Sequence, residues 1–280
     1  MDQPIADPLA ELITTYNELN SPVIEELDEE PSPLEFMRYV SRNTPFVVRK
    51  AAATWSATKN WNAQYLEGCL RDQTVNVAVT PRGNADAPTW RDEDGELVFA
   101  KPWEEDQAFP EFLDHVRRQE IDASFPQDSE IRYAQTQNDN LRHEYDDVIA
   151  RPKTSTLQLT QTNNRIGNSR SVTALHKDNY ENIYVQIRGQ KHFVLLPPHS
   201  HPCVNEKPLR PGTYAPNDDS QRLQLVMDAG DGSGQEVQRV PFAIWDPDCP
   251  DDNATPYSRL AEPMRVTLEP GDMLYLPAMW

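Results

Sequence analysis

The stretch SVTALHKDNYENIYVQIRGQKHFVLLPP, Ser171 to Pro198, decides the fold. It holds three short runs with strand character, 172–176, 182–188 and 192–196, punctuated by Arg188-Gly189 and closed by Pro197-Pro198. Short runs separated by turn residues predict an all-β barrel or sandwich. At the end of the first run stands His176-Lys177-Asp178. Residues i and i+2 of an extended segment point to one face, so this triplet aims an imidazole and a carboxylate into the same space. Such a nitrogen and oxygen pair suits a 2-His-1-carboxylate iron centre. H-x-D alone is weak evidence, since a surface histidine beside an aspartate arises often by chance.

The next residues add support. Lys191 follows His176 by fifteen positions, after a strand and a turn, so the chain can return it to the same cavity. A lysine in an apolar barrel is costly unless an anion pairs with it. A dicarboxylate chelating the metal would supply that anion. His192, one residue on, points the other way by strand parity and is a poor metal ligand. Thr173, three residues before His176, and Tyr133, on a predicted strand 131–135, are candidates to hydrogen-bond a bound carboxylate.

Working outward, further strand-like runs fall at 156–162, 223–227, 239–244, 264–268 and 272–276, with turn signals at 228–234 and at Pro270-Gly271. Before them, apolar residues at helical spacing predict a helix within 5–20. Ser32-Pro33-Leu34-Glu35 reads as a capping box opening a helix to about Val40. Pro45–Arg49 and Val75–Thr80 read as strands, Trp61–Leu70 and Phe109–Val116 as helices, 82–102 as loop and 137–155 as a polar surface excursion. The expected organisation is a mostly helical N-terminal cap over residues 1–130 and a β core over 131–280, integrated as one domain.

Composition narrows the function classes. Of 280 residues, 25 are proline and 10 glycine, which favours proline-cornered loops over glycine-rich phosphate cradles. No glycine loop for nucleotides and no G-x-S-x-G elbow appears. A net charge of -19 disfavours nucleic acid and anionic membranes as partners and suits a basic protein or peptide. The three cysteines, Cys69, Cys203 and Cys249, form neither a disulfide framework nor a zinc motif. With no signal peptide or membrane-spanning run visible, cytosol or nucleus is the expected compartment.

The segment HKDNYENIYVQIRGQKHFVLLPP resembles the JmjC family of Fe(II)/2-oxoglutarate oxygenases, and in particular its small hydroxylases. SPLEFMRYVSRNTPFVVRKAA, WNAQYLEGCL, VNVAVTPRGNADA and PGDMLYLPAMW extend the resemblance over nearly the whole chain. It implies a mainly β fold: a double-stranded β-helix, or cupin-type jelly roll, with a helical cap. It implies iron held by His176 and Asp178, and 2-oxoglutarate bound by Lys191 with help from Thr173 and Tyr133. It implies hydroxylation of a lysyl side chain, with a translation-linked GTPase as one kind of target. A homodimer is the assembly it suggests. Three departures qualify these expectations. The third iron ligand, a histidine, is expected about two residues past Trp280, where this sequence ends, so the last barrel strand is expected to be missing from it. Asn164-Arg165 replace a bulky apolar pair on the expected substrate wall, and Gly230–Gly234 reads as a loop enlargement. Two other readings stay open: a non-catalytic cupin-like binding module, and a metal-dependent peptidase acting on basic tails.

Overall fold

A computed structural model describes residues 7–134, 165–217, 222–229 and 237–280. The expected strand 156–162, the excursion 137–155, Asn164 and the loop at 230–234 lie outside the described residues. In chain order the elements are α1 (Pro8–Leu19), β1 (Glu25–Leu27), α2 (Pro33–Arg42), β2 (Phe46–Val48), α3 (Ser56–Asn60), α4 (Ala63–Cys69), β3 (Thr74–Thr80), β4 (Ala87–Trp90), β5 (Leu97–Lys101) and β6 (Trp103–Ala108). They continue with α5 (Phe109–Ile121), β7 (Ile131–Tyr133), β8 (Asn182–Val185), β9 (Lys191–Leu195), β10 (Glu206–Leu209), β11 (Pro211–Pro216), β12 (Leu223–Met227), β13 (Val240–Ala243), β14 (Met264–Leu268) and β15 (Met273–Leu276). Strands dominate and a few helices flank them, which is the expected mainly β class. No helix among the described residues is long and apolar enough to cross a membrane.

The chain forms two compact units, each discontinuous in sequence: 1–61, 175–207 and 243–280 in the first, 62–174 and 208–242 in the second. This division does not follow the expected boundary at residue 130. In the first unit β1, β2, β15 and β8 make a four-stranded sheet, and β14 pairs with β9. The strand Phe46–Val48 is therefore not part of an outer cap. All three of its residues are buried, and it runs parallel to β1 and antiparallel to β15. An apolar run with no polar alternate is what a strand covered on both faces requires. One face packs Val47 and Leu274 against Leu195, Val266 and Leu268 of the β9–β14 pair, with Tyr184 and Phe193 edge to face at 5.0 Å. The other face carries Phe46, Val48 and Tyr275 against Tyr39 and Phe36 of α2. The capping box that opens α2 is formed: the Glu35 N–H donates to Ser32 Oγ, and Glu35 Oε2 accepts from the Ser32 N–H at 2.9 Å.

The second unit holds the sheets β12-β11-β5-β4 and β6-β3-β7. Helix α5 buries Phe109, Phe112, Leu113 and Val116, and it lies against β3, β6 and β7. Residues 82–102, expected as loop, supply β4 and β5. Their polar, proline-bearing sequence hides two strands because β4 is an edge strand, the one place in a sheet that accepts a proline such as Pro88. The helix expected over Trp61–Leu70 is present as α4, preceded by the separate short α3, with the Asn62 side chain capping α4 by accepting from the Tyr65 N–H at 2.9 Å.

One carboxylate ties the strand ends of the first unit together. Asp272 is 2% exposed. Its oxygens accept from the Lys50 N–H at 2.9 Å, the Glu269 N–H at 3.0 Å and Arg49 Nη1 at 2.6 Å. Its backbone carbonyl accepts from the Gln186 N–H at 3.0 Å, just past β8. Arg49 also donates to the Thr267 carbonyl at 2.9 Å and pairs with Glu26. Burial pushes the Asp272 carboxyl up, but the two backbone N–H groups and Arg49 outweigh it, and the net shift is downward. A folded-state pKa below the unfolded one means stability present above about pH 4 and lost as pH falls through the lowered value. Asp272→Asn is expected to destabilise the protein by about 2–3 kcal/mol in urea titrations at neutral pH. It should also flatten the loss of stability seen in the wild type on acidification below about pH 4.

Candidate functional site

His176, Asp178 and Lys191 lie in the first unit, and Tyr133 and Thr173 in the second. The run 172–176, expected as a strand, has no regular structure. His176-Lys177-Asp178 instead occupies an irregular segment leading into β8. The backbone there is held by single contacts rather than a ladder. The Asp178 carbonyl accepts from the Met279 N–H at 2.7 Å, and Asp178 Oδ2 accepts from Asn182 Nδ2 at 3.2 Å. Lys177, between the two, points to Glu206 at 2.6 Å. His176 is exposed and Asp178 half-buried.

Met279 has a left-handed φ of 74°, uncommon for a residue with a long side chain. Its turn is anchored on both sides. Asn43 Nδ2 donates to the Ala278 carbonyl at 3.1 Å, and Trp280 Nε1 donates to the Asn43 carbonyl at 2.9 Å. The end of α2 thus braces the turn that holds Asp178.

Parity places the remaining residues of this unit. Tyr184 and Leu274 meet in register and face the inter-sheet core, as do Phe193 and Leu195. Asn182, two before Tyr184, therefore shares the inward face of β8, and Lys191, two before Phe193, shares the inward face of β9. Lys191 opens β9 opposite Leu268 of β14. His192 is exposed on the other face, with Nδ1 2.8 Å from Thr267 Oγ1. Asn182, the partner of Asp178, carried no sequence signal, because its role depends on a hydrogen bond across an irregular bend.

In the second unit Tyr133 and Thr173 line one pocket together with Ala78, Thr80, Gly83 and Val172. Ala134 and Ile166 exchange backbone hydrogen bonds at 2.9 and 3.0 Å, which sets Gly167 beside Tyr133. A Cβ on Gly167 would stand 2.5 Å from the Tyr133 ring, so only glycine lets the ring lie there. Gly83, at φ 76°, would clash with the Arg170 carbonyl at 2.0 Å, and its own carbonyl accepts from the Val172 N–H at 2.8 Å. The Tyr133 hydroxyl feels the Arg165 and Thr173 side chains electrostatically. Burial pushes the phenol above its ordinary range, and Arg165 and Thr173 pull against that shift.

Among the described residues, no group of three His, Cys, Asp or Glu side chains is arranged to hold a metal. His176 and Asp178 contribute one imidazole and one carboxylate, a donor set apt for Fe(II). The Asn182 contact is of the kind that orients a ligating carboxylate from its outer side.

Comparison with known proteins agrees with this architecture. Residues 31–280 match the family model described as "Cupin-like domain". The chain is 34% identical to "Lysine-specific demethylase JMJ32" of Arabidopsis thaliana, over 92% of this chain and 75% of that protein. It is 30% identical to "JmjC domain-containing protein E" of Dictyostelium discoideum, over 90% of this chain and 75% of that protein. It is also 30% identical to the human "Bifunctional peptidase and (3S)-lysyl hydroxylase JMJD7", over 91% of this chain and 77% of that protein. A cupin-like fold matched over residues 31–280, with JmjC relatives covering nine-tenths of the sequence, makes this chain a member of the cupin-like JmjC oxygenase family, whose proteins typically depend on Fe(II) and 2-oxoglutarate.

Proposed function

We propose that the protein is an Fe(II)- and 2-oxoglutarate-dependent hydroxylase acting on a lysyl side chain of a protein substrate. The observation that carries this reading is the braced H-x-D segment: the Asp178 backbone fixed by Met279 and its carboxylate oriented by Asn182. The names of the relatives, a lysyl hydroxylase and a lysine-specific demethylase, support a lysine target. In this reading His176 and Asp178 would be iron ligands, with Asn182 orienting the Asp178 carboxylate through Oδ2. Lys191, on the inward face of β9, supplies the positive charge for the far carboxylate of 2-oxoglutarate. Thr173 and Tyr133 offer further hydroxyl donors to that co-substrate. When bound, the metal couples oxidative decarboxylation of 2-oxoglutarate to oxidation of a substrate C–H bond. The chain's own part is to hold ligands in fixed orientation and to neutralise the co-substrate's charge.

The net charge of -19 favours a basic segment as the substrate, because opposite charge steers encounter. A translation-linked GTPase in the cytosol or nucleus, met by a homodimer of this protein, completes the proposal.

The full-length protein with Fe(II), 2-oxoglutarate and a lysine-bearing basic peptide should form succinate and add one oxygen to the peptide. His176→Ala should reduce succinate formation to background while the thermal unfolding midpoint stays within a few degrees. Turnover that survives in His176→Ala would sink the assignment. Loss of a methyl group from a methyl-lysine peptide would redirect the reading to demethylation, and peptide cleavage without 2-oxoglutarate to a peptidase. A wild type that binds neither metal nor 2-oxoglutarate would make it a binding module. Asn182→Ala should weaken Fe(II) affinity about 10- to 100-fold in metal titrations, through loss of the carboxylate's orienting contact.

A further inference from the structure

We propose that the ion pair between Lys177 and Glu206 positions the His176–Asp178 segment, making both of them positioning residues for the site that segment carries. The inference rests on the function proposed above and goes beyond it, since neither residue is among the ligands assigned there.

The segment needs such a device because it is not a strand. His176, Lys177 and Asp178 have no regular structure. Without a ladder of backbone hydrogen bonds, rotation about the two soft dihedrals of residue 177 swings the imidazole and the carboxylate on either side of it. The contacts from Met279 and Asn182 both act on Asp178. The Lys177 pair acts one residue earlier, next to His176. Lys177 Nζ donates to Glu206 Oε2 at 2.6 Å, across 29 positions of the sequence. Held there, Lys177 is a handle between the two candidate ligands.

Glu206 is itself anchored. It follows the 3-10 helix Pro198–Cys203 and Asn205, whose left-handed φ of 49° suits an asparagine. Asn205 Nδ2 donates to the Asn253 carbonyl at 2.8 Å. The Val204 carbonyl accepts from the Ile244 and Trp245 N–H groups at 3.2 and 3.1 Å. Ser258 Oγ donates to the Cys203 carbonyl at 2.6 Å, and Cys203, Trp245 and Ser258 are all buried. The other carboxylate oxygen of Glu206 lies 3.6 Å from His201 Nε2. The Lys177 ammonium holds the Glu206 carboxyl below its ordinary range, against a smaller opposing effect of burial, so the carboxylate is ionised at neutral pH. The pair is thus a link from a packed wall to an irregular segment.

Stability does not account for the pair. The Lys177 and Glu206 side chains are 41% and 27% exposed, and an ion pair so placed contributes little to folding. Two roles remain, and they predict opposite signs. As plain charges, an ammonium beside a cation site repels metal and a carboxylate attracts it. As a positioning pair the two act together, and the loss of either one loosens the segment. The contact favours the second role, because it ties Lys177 to a residue fixed from elsewhere in the fold.

The experiment is titration of Co(II), followed by visible absorption, into the full-length protein and into Lys177→Gln, Glu206→Gln and the double variant. Each single variant should weaken Co(II) binding about tenfold, the low end of what an orienting partner is worth. The double variant should bind no more weakly than either single one, and Lys177→Arg, which keeps the pair, should recover most of the affinity. Thermal unfolding midpoints should stay within a few degrees of the wild type. In the metal-free protein, the Met279 amide, which donates to Asp178, should exchange its hydrogen faster in both single variants. Tighter binding in Lys177→Gln, losses that multiply in the double variant, or wild-type affinity in both single variants overturns the proposal and leaves the hydroxylase reading standing. A wild type that takes up no Co(II) sinks that reading instead. The pair is then decided by the Met279 exchange rate, and no change in either single variant overturns it.

Discussion

The first unit depends on a buried negative charge. Asp272 sits almost out of solvent at the turn between β14 and β15, where an unpaired carboxylate would be strongly unfavourable. It is tolerated because two backbone N–H groups and a guanidinium converge on it. Those partners are not interchangeable pieces of surface. Lys50 follows β2, Glu269 follows β14, and the Asp272 carbonyl holds Gln186 just beyond β8. The neighbouring Gly271 extends the knot, its N–H donating to the Gln186 carbonyl at 2.7 Å while its carbonyl accepts from the Ala52 N–H at 2.8 Å. The strands that carry the candidate ligand segment and the strands that close the core are therefore fastened at one place.

What this constraint achieves at the other end of the same strands is positional. β15 leaves the knot, crosses the core through Leu274 and Tyr275, and delivers the Pro277–Trp280 turn to Asp178 and to the end of α2. β8 runs antiparallel beside it and sets Asn182 opposite Leu276. The irregular His176–Asp178 segment thus acquires a fixed carboxylate without being a strand itself. Two rigid neighbours supply one backbone and one side-chain hydrogen bond, which is how a loop residue attains the precision that metal binding demands.

The second unit shows a different economy. Its pocket is shaped by glycines at positions where a single methyl group would collide with a ring or a carbonyl. Tyr133 and Thr173 come from separate stretches of chain and line the same pocket.

Much of this was legible in the amino-acid sequence for reasons that are local. The alternation in 264–268 and 75–80, the capping box at Ser32, and the H-x-D triplet followed by Lys191 are periodic or compositional patterns, and β-strand parity alone placed Lys191 and His192 on opposite faces. Tertiary structure decided what no local pattern encodes. Ala87–Trp90 and Leu97–Lys101 became strands because they pair with each other and with β11, despite a sequence poor in strand formers at β4. Phe46–Val48 became an inner strand of a sheet because β15 arrives beside it from more than two hundred residues away. The bend at His176–Asp178, braced by Met279, and the placing of Gly167 against Tyr133 arise from long-range hydrogen bonds and steric exclusion. Those forces act between residues that the linear order keeps apart, and they appear only once the chain has closed on itself.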